Sequence, residues 1–118
     1  MTITYKLFKR RKDGSIGPLF ICQRLRIPLN EWLQAEDHPT KGYARRPGWH
    51  SGLSPIAPHL SEKNRVWAEC EVEDGRWYPF PRPSHQGATW IISESLKVLR
   101  LLSSEEVEAI RLSHQQGA

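Results

Sequence analysis

A chain of 118 residues can hold one hydrophobic core but is short for two, and with 38% hydrophobic residues and five tryptophans it has apolar area to bury that a disordered chain lacks. No apolar run approaches the roughly 20 residues of a membrane helix, the first residues lack the apolar centre of a signal peptide, and Cys22 and Cys70 make no disulfide framework. A membrane-spanning role is excluded on that ground, and a cytoplasmic protein with reduced thiols is expected. The formal charge is +4 and the pI about 9.3.

That charge is uneven. Lys6, Lys9, Arg10, Arg11, Lys12, Arg24 and Arg26 face only Asp13, whereas the C-terminal segment sets Glu105, Glu106 and Glu108 against Arg111. A basic half attracts anionic partners over long range, so the expected partner is a protein or ribonucleoprotein presenting an acidic or nucleic-acid surface. A merely solvated face is the plainer alternative.

Taken in order, residues 3–9 alternate apolar and polar side chains, the period of a half-buried strand with Ile3, Tyr5 and Leu7 inward and Thr4 and Lys6 outward. Asp13-Gly14 is a tight-turn signal, and residues 16–22 read as the return strand, with Pro18 confining it to a sheet edge or to a start after the proline. Residues 1–26 are thus a basic β-hairpin region. The segment LNEWLQAED over 29–37, with Asn30 as its cap, predicts a short helix.

Residues 38–64 are broken by proline and glycine and read as an ordered recognition loop presenting Tyr43, Arg45, Arg46, Trp49, His50 and His59. Residues 65–73 show the clearest alternation, with Val66, Ala68, Cys70 and Val72 on one side and Trp67, Glu69, Glu71 and Glu73 on the other. Asp74-Gly75 is a second turn signal, and residues 76–80 return briefly before Pro79, Pro81 and Pro83 end any ladder. Residues 88–92 and 96–102 read as two strands with a bend over 93–95, one helix over 91–102 being the competing reading. Ser103 and Glu106 have the form of a capping box, opening a helix over 103–114 with Val107 and Ile110 as its stripe. The fold class that follows is α+β: one domain, a mostly antiparallel sheet of four to six strands, two short helices and long Pro/Gly-rich loops.

Three constellations bear on chemistry. The basic and aromatic set comprising Lys9, Arg10, Arg11 and Lys12 together with Tyr43, Arg45, Arg46, Trp49, His50 and His59 suits an anionic partner with a flat face, since guanidinium groups fork onto oxyanions and indoles stack. The plainer reading of Trp49 is a core plug turned by Gly48 and Gly52. His38, His50, His59, His85, Cys22 and Cys70 are zinc ligand types, but no pair has finger or knuckle spacing, and no metal or other cofactor is expected. Acid-base chemistry would use His50 with Glu69, Glu71 or Glu94, although alternating glutamates on a strand are more often a solvated face. No phosphate-binding loop, dinucleotide fingerprint or nucleophile elbow occurs.

The succession YKLFK, GPLFI, IPLNEWLQAED, PTKGYARRPGWH, PIAPHL, RVWAECEVED and TWIISESLKVLRLLSSEEVEAI resembles a small Trp/Pro-rich domain of phages and prophages, also found within large polyvalent proteins of mobile elements. The likeness spans nearly the whole chain, and RPGWH, APHL and VWAECE are its most specific parts. It implies a mobile-element origin and a counter-defence or inhibitory role, with anti-CRISPR activity among the candidates, more than a mechanism. A structural module of a phage assembly is a further possibility. In outline, the Gly48-Trp49-His50 turn and the glutamate-bearing strand are also similar to small ADP-ribosyltransferases, which would make NAD the cofactor and His50 and Glu71 the catalytic pair. The chain departs from that pattern in lacking a clear serine or threonine after an aromatic on the second strand, unless Ser51 serves, and an assured glutamate near its end.

Overall fold

The computed structural model describes residues 2–18, 26–34, 48–57, 61–80 and 89–116. They form one antiparallel sheet and a C-terminal helix: β1 (Thr2–Arg10), β2 (Ile16–Gly17), β3 (Trp32–Gln34), β4 (Trp49–Gly52), β5 (Arg65–Val72), β6 (Trp77–Phe80), β7 (Trp90–Ser93), β8 (Ser95–Leu101) and α1 (Ser104–Gln116). The strand order is β3-β8-β5-β1-β4-β7-β6, with β2 pairing to β1. No helix among the described residues is long and apolar enough to cross a membrane.

The expectation of four to six strands and two helices is therefore corrected to eight strands and one helix among the described residues. The expected helix over 29–37 is overturned within its described part. Asn30 takes a left-handed conformation (φ 61°) and its amide donates to Val98 O at 2.7 Å, after which Trp32, Leu33 and Gln34 pair with Lys97, Leu96 and Ser95. The exposed edge of β8 offers this segment ladder partners, and so short a helix has little stability of its own. The second correction is β4, which lies inside the expected loop and is held on both sides by β1 and β7.

The long pair β1–β5 is the spine, in continuous register from Thr2 opposite Val72 to Lys9 opposite Arg65. One sheet face carries Phe8, Val66, Ala68, Cys70, Val72, Ile91, Leu96 and Val98 in a single apolar cluster, with Leu33, Trp49 and Trp77 packed against it. The sheet rolls around this face. β3 and β4 have three strands between them, about 19 Å apart in a flat sheet, yet the Trp49 indole N–H donates to Leu33 O at 3.0 Å. Only strong curvature brings those strands within one side chain's reach.

On the outer face α1 lays Val107 and Ile110 over Tyr5, Leu7 and Trp67. Its capping box forms as the sequence predicts: Glu106 N–H donates to Ser103 Oγ (3.1 Å) and Ser103 N–H to Glu106 Oε1 (3.0 Å). Trp67, grouped by alternation with the exposed glutamates, is buried beneath this helix, its indole N–H donating to Glu62. The remaining outer surface is closed by ion pairs, Glu69–Arg100–Glu106 and Glu71–Lys97, with Lys97 also 4.8 Å from the Trp32 ring centre.

Candidate functional site

Within the expected basic hairpin region, β1 and β2 pair Lys9 with Gly17 and Arg10 with Ile16, and residues 19–25 lie outside the described residues. Gly14 supplies the positive φ (87°), and the Gly14 amide donates to Arg11 O while the Arg11 amide donates to Ser15 O. Asp13 accepts from the Ser15 amide (3.0 Å), the Ser15 hydroxyl (2.6 Å) and Arg26 (2.8 Å). These bonds, those from Ser15 foremost, hold its carboxyl well below the usual carboxylate range. The hairpin's one acid is thus committed to closing the turn and to Arg26.

Lys9, Arg10 and Lys12 are exposed and have no ion pair among the described residues; Arg11 is half-buried. The register of β5 adds a cation that sequence reasoning missed. The Arg10 amide donates to Asn64 O at 2.8 Å, which sets the Lys63–Asn64 turn, where Asn64 has φ 56°, against the hairpin. Lys63 is exposed and equally without an ion pair. Nothing periodic in the sequence marks it; only the pairing of Lys9 with Arg65 brings it there.

Several other described cations are matched by carboxylates. Arg76 pairs with Glu73 and Glu94, Arg100 with Glu69 and Glu106, Arg111 with Glu62 and Glu108, and Lys97 with Glu71. Unmatched exposed positive charge is concentrated at one end of the sheet.

Tyr43, Arg45, Arg46 and His59, with Cys22, His38 and His85, lie outside the described residues. In sequence Arg46 stands two residues before Gly48. Running the antiparallel register on from Tyr5 opposite Gly52 brings Gly48 level with Lys9. Trp49 points inward, packed on the core, so its ring is not an open stacking surface. His50 faces outward, edge-on to Trp90 with ring centres 4.8 Å apart. Tyr78, at 53% exposure, lies on the same outer face, opposite Ile92.

The proposed acid-base pair is not brought together. His50 is level with Leu7 and Glu71 is paired with Ile3, on strands to either side of β1. Four residues along and two strands across separates them by about 16 Å, and Glu71 is engaged by Lys97 at 3.7 Å. Glu69 and Glu94 are likewise held by Arg100 and Arg76. Cys70 faces the interior while His50 faces out, so these two cannot share a metal ion.

A second residue passed over by alternation is Lys6. It shares the inner face with Thr4 and Phe8, and its ammonium donates to His50 O at 2.7 Å, about 6 Å from the Phe8 and Trp49 ring centres. Burial lowers its pKa to about 8.

No family model, no curated protein and no solved structure matches this chain.

Proposed function

We propose that this chain is a non-enzymatic binding protein of phage or mobile-element origin that inhibits a host nucleic-acid machine, docking its basic end on an acidic or nucleic-acid surface of that machine. The observation that carries this reading is the segregation of charge. Lys9, Arg10, Lys12 and Lys63 stand exposed at one end of the sheet with no ion pair among the described residues, while Arg76, Arg100 and Arg111 are matched by carboxylates. Uncompensated like charges repel one another within the folded protein, and an anionic partner turns that cost into binding free energy. Tyr78 on the outer sheet face offers an aromatic surface of the type that supplements such contacts.

Binding of labelled DNA, labelled RNA and a guide-loaded CRISPR nuclease, each measured across salt concentration, tests the reading. Four neutralised cations give a logarithmic slope near −3.6, so a fourfold rise in salt weakens binding about 100-fold. The quadruple variant Lys9→Ala, Arg10→Ala, Lys12→Ala, Lys63→Ala is expected to lose that slope together with affinity. Binding that ignores both salt and the four substitutions refutes the hairpin as the docking end.

A further inference from the structure

The inner face of the rolled sheet carries polar groups that the fold itself does not use. Thr4 Oγ1, Ser51 Oγ and Ser93 Oγ are buried and have no hydrogen-bond partner among the described residues; the residues are 0%, 6% and 2% exposed. They come from β1, β4 and β7, which are neighbours in the sheet. All three share a face with Lys6. The register that sets Tyr5 opposite Gly52 sets Lys6 beside Ser51, Ser51 pairs with Ile91, and Ser93 pairs with Trp49. By that register Lys6 lies directly across from Ser51, about 5 Å between Cβ atoms, and Ser93 lies diagonally from Ser51, about 7–8 Å, whereas Thr4 is four residues along and two strands across from Ser93, about 16 Å, and is not part of the same patch.

A buried hydroxyl without a partner costs about 1–3 kcal/mol, and a buried ammonium without a counter-charge costs more. The structure nevertheless places Lys6, Ser51 and Ser93 close together on neighbouring strands of one face. Lys6 has one hydrogen bond, to a backbone carbonyl, and no carboxylate of the described residues pairs with it. The rings of Phe8 and Trp49 lie beside its ammonium, and Trp77 packs against the same core. Packing alone would favour alanine or valine at the hydroxyl positions and a methionine at Lys6. An anionic ligand placed among Lys6, Ser51 and Ser93 satisfies these three together: the ammonium gains its counter-charge and the two hydroxyls, which can only donate usefully to an acceptor, gain one.

We propose that the inner face of the sheet is a binding site for a small oxyanion, a carboxylate or a phosphate, with Lys6 as its cation and the hydroxyls of Ser51 and Ser93 as its donors. The site is separate from the basic hairpin: it faces the interior, and it binds a small molecule rather than a macromolecular surface.

The test titrates the protein at neutral pH with inorganic phosphate and, separately, with benzoate, against sodium chloride of equal ionic strength. Tryptophan fluorescence and the NMR signal of the Lys6 side chain are followed to about 10 mM, which covers dissociation constants down to the weak millimolar range. The expected result is a saturable change with at least one probe that chloride does not produce. Lys6→Met abolishes it, Ser93→Ala weakens it about tenfold, and the quadruple hairpin variant leaves it intact. Which probe binds separates phosphate from carboxylate. Folding of each variant is checked by circular dichroism, and if Lys6→Met does not fold, the Ser93→Ala comparison decides. No saturable change with either probe, a change that survives Lys6→Met or is indifferent to Ser93→Ala, or one lost only in the hairpin variant overturns the proposal.

Discussion

Replacing Lys6 by methionine should make the protein more stable at neutral pH. The lysine's folded pKa of about 8 lies below its ordinary 10.5 because its ammonium is enclosed. That gap corresponds to about 3 kcal/mol by which folding is opposed wherever both states are protonated. Methionine removes the charge while keeping an unbranched apolar chain of similar length, and forfeits the bond to His50 O, worth about 1 kcal/mol. The net expectation is a gain of about 2 kcal/mol, or about 8 °C in melting temperature for a domain of this size.

The pH dependence identifies the cause. Below about 8 the lysine is protonated in both states and its cost is complete. Above it the unfolded chain holds a proton that the folded protein has released, so wild-type stability rises with pH, by up to about 1.4 kcal/mol per pH unit. Cys70 acts in the opposite sense. Burial pushes its thiol from 9.0 up to about 12, so above pH 9 the unfolded chain ionises first and stability falls. Tyr5, raised above its ordinary 10.0 chiefly by burial, adds to that fall at still higher pH. The lysine's own rise runs from about pH 8 to its ordinary 10.5, and in the wild type alone it is unopposed only up to about pH 9. Urea unfolding of both proteins across that interval should show the wild type closing part of its deficit on Lys6→Met. A difference that stays constant with pH, or a variant less stable than wild type near pH 7, refutes the account of Lys6 as an enclosed, uncompensated charge.

Gly48→Ala should destabilise the fold by at least about 2 kcal/mol in the same assay, because Gly48 has φ 120° and an added Cβ would meet Ile92 Cγ2 at 2.7 Å and Ser93 O at 3.2 Å. At Gly14 the same change meets nothing within 4 Å, so only its φ of 87° resists and the loss should be near 1 kcal/mol. Ser103→Ala removes the acceptor for the Glu106 amide and should cost about 1 kcal/mol, read as a lower urea midpoint with unchanged slope. Cys70, fully buried with its thiol held protonated, should resist iodoacetamide in the native protein and react at the rate of an ordinary cysteine in urea.

Local features of the chain were legible where their cause is local. The turns at Gly14 and Gly75, both with positive φ, follow from Asp-Gly pairs, and the capping box follows from Ser103 and Glu106. The bend between β7 and β8 falls at Glu94, within the expected 93–95, and Cys70 is buried as its alternation predicts. The segment Trp32–Gln34 was misread as helix because Leu29, Trp32 and Leu33 match helical spacing, and three residues are too few to show a strand's period. The segment Trp49–Gly52 hides for the same reason among prolines and glycines. Of the candidate binding surface, the hairpin cations could be read from sequence as a cluster. Lys63 could not, because it joins them through a pairing between strands about 60 residues apart in sequence.

By itself, then, the sequence determined which stretches turn, which alternate and where the C-terminal helix starts, because those depend on neighbours within a few residues. Alternation in β1 also showed that its two sides differ. It could not show that both would be covered, one by α1 and the other by the curl of the sheet. Tertiary structure alone decided that Trp67 is buried and Lys6 turned inward, that unpartnered hydroxyls are buried on the lysine's face of the sheet, and that the unmatched charges meet at one end. Each of these depends on which strands become neighbours and how far the sheet bends, and that is settled by burial of the whole apolar surface rather than by any single segment.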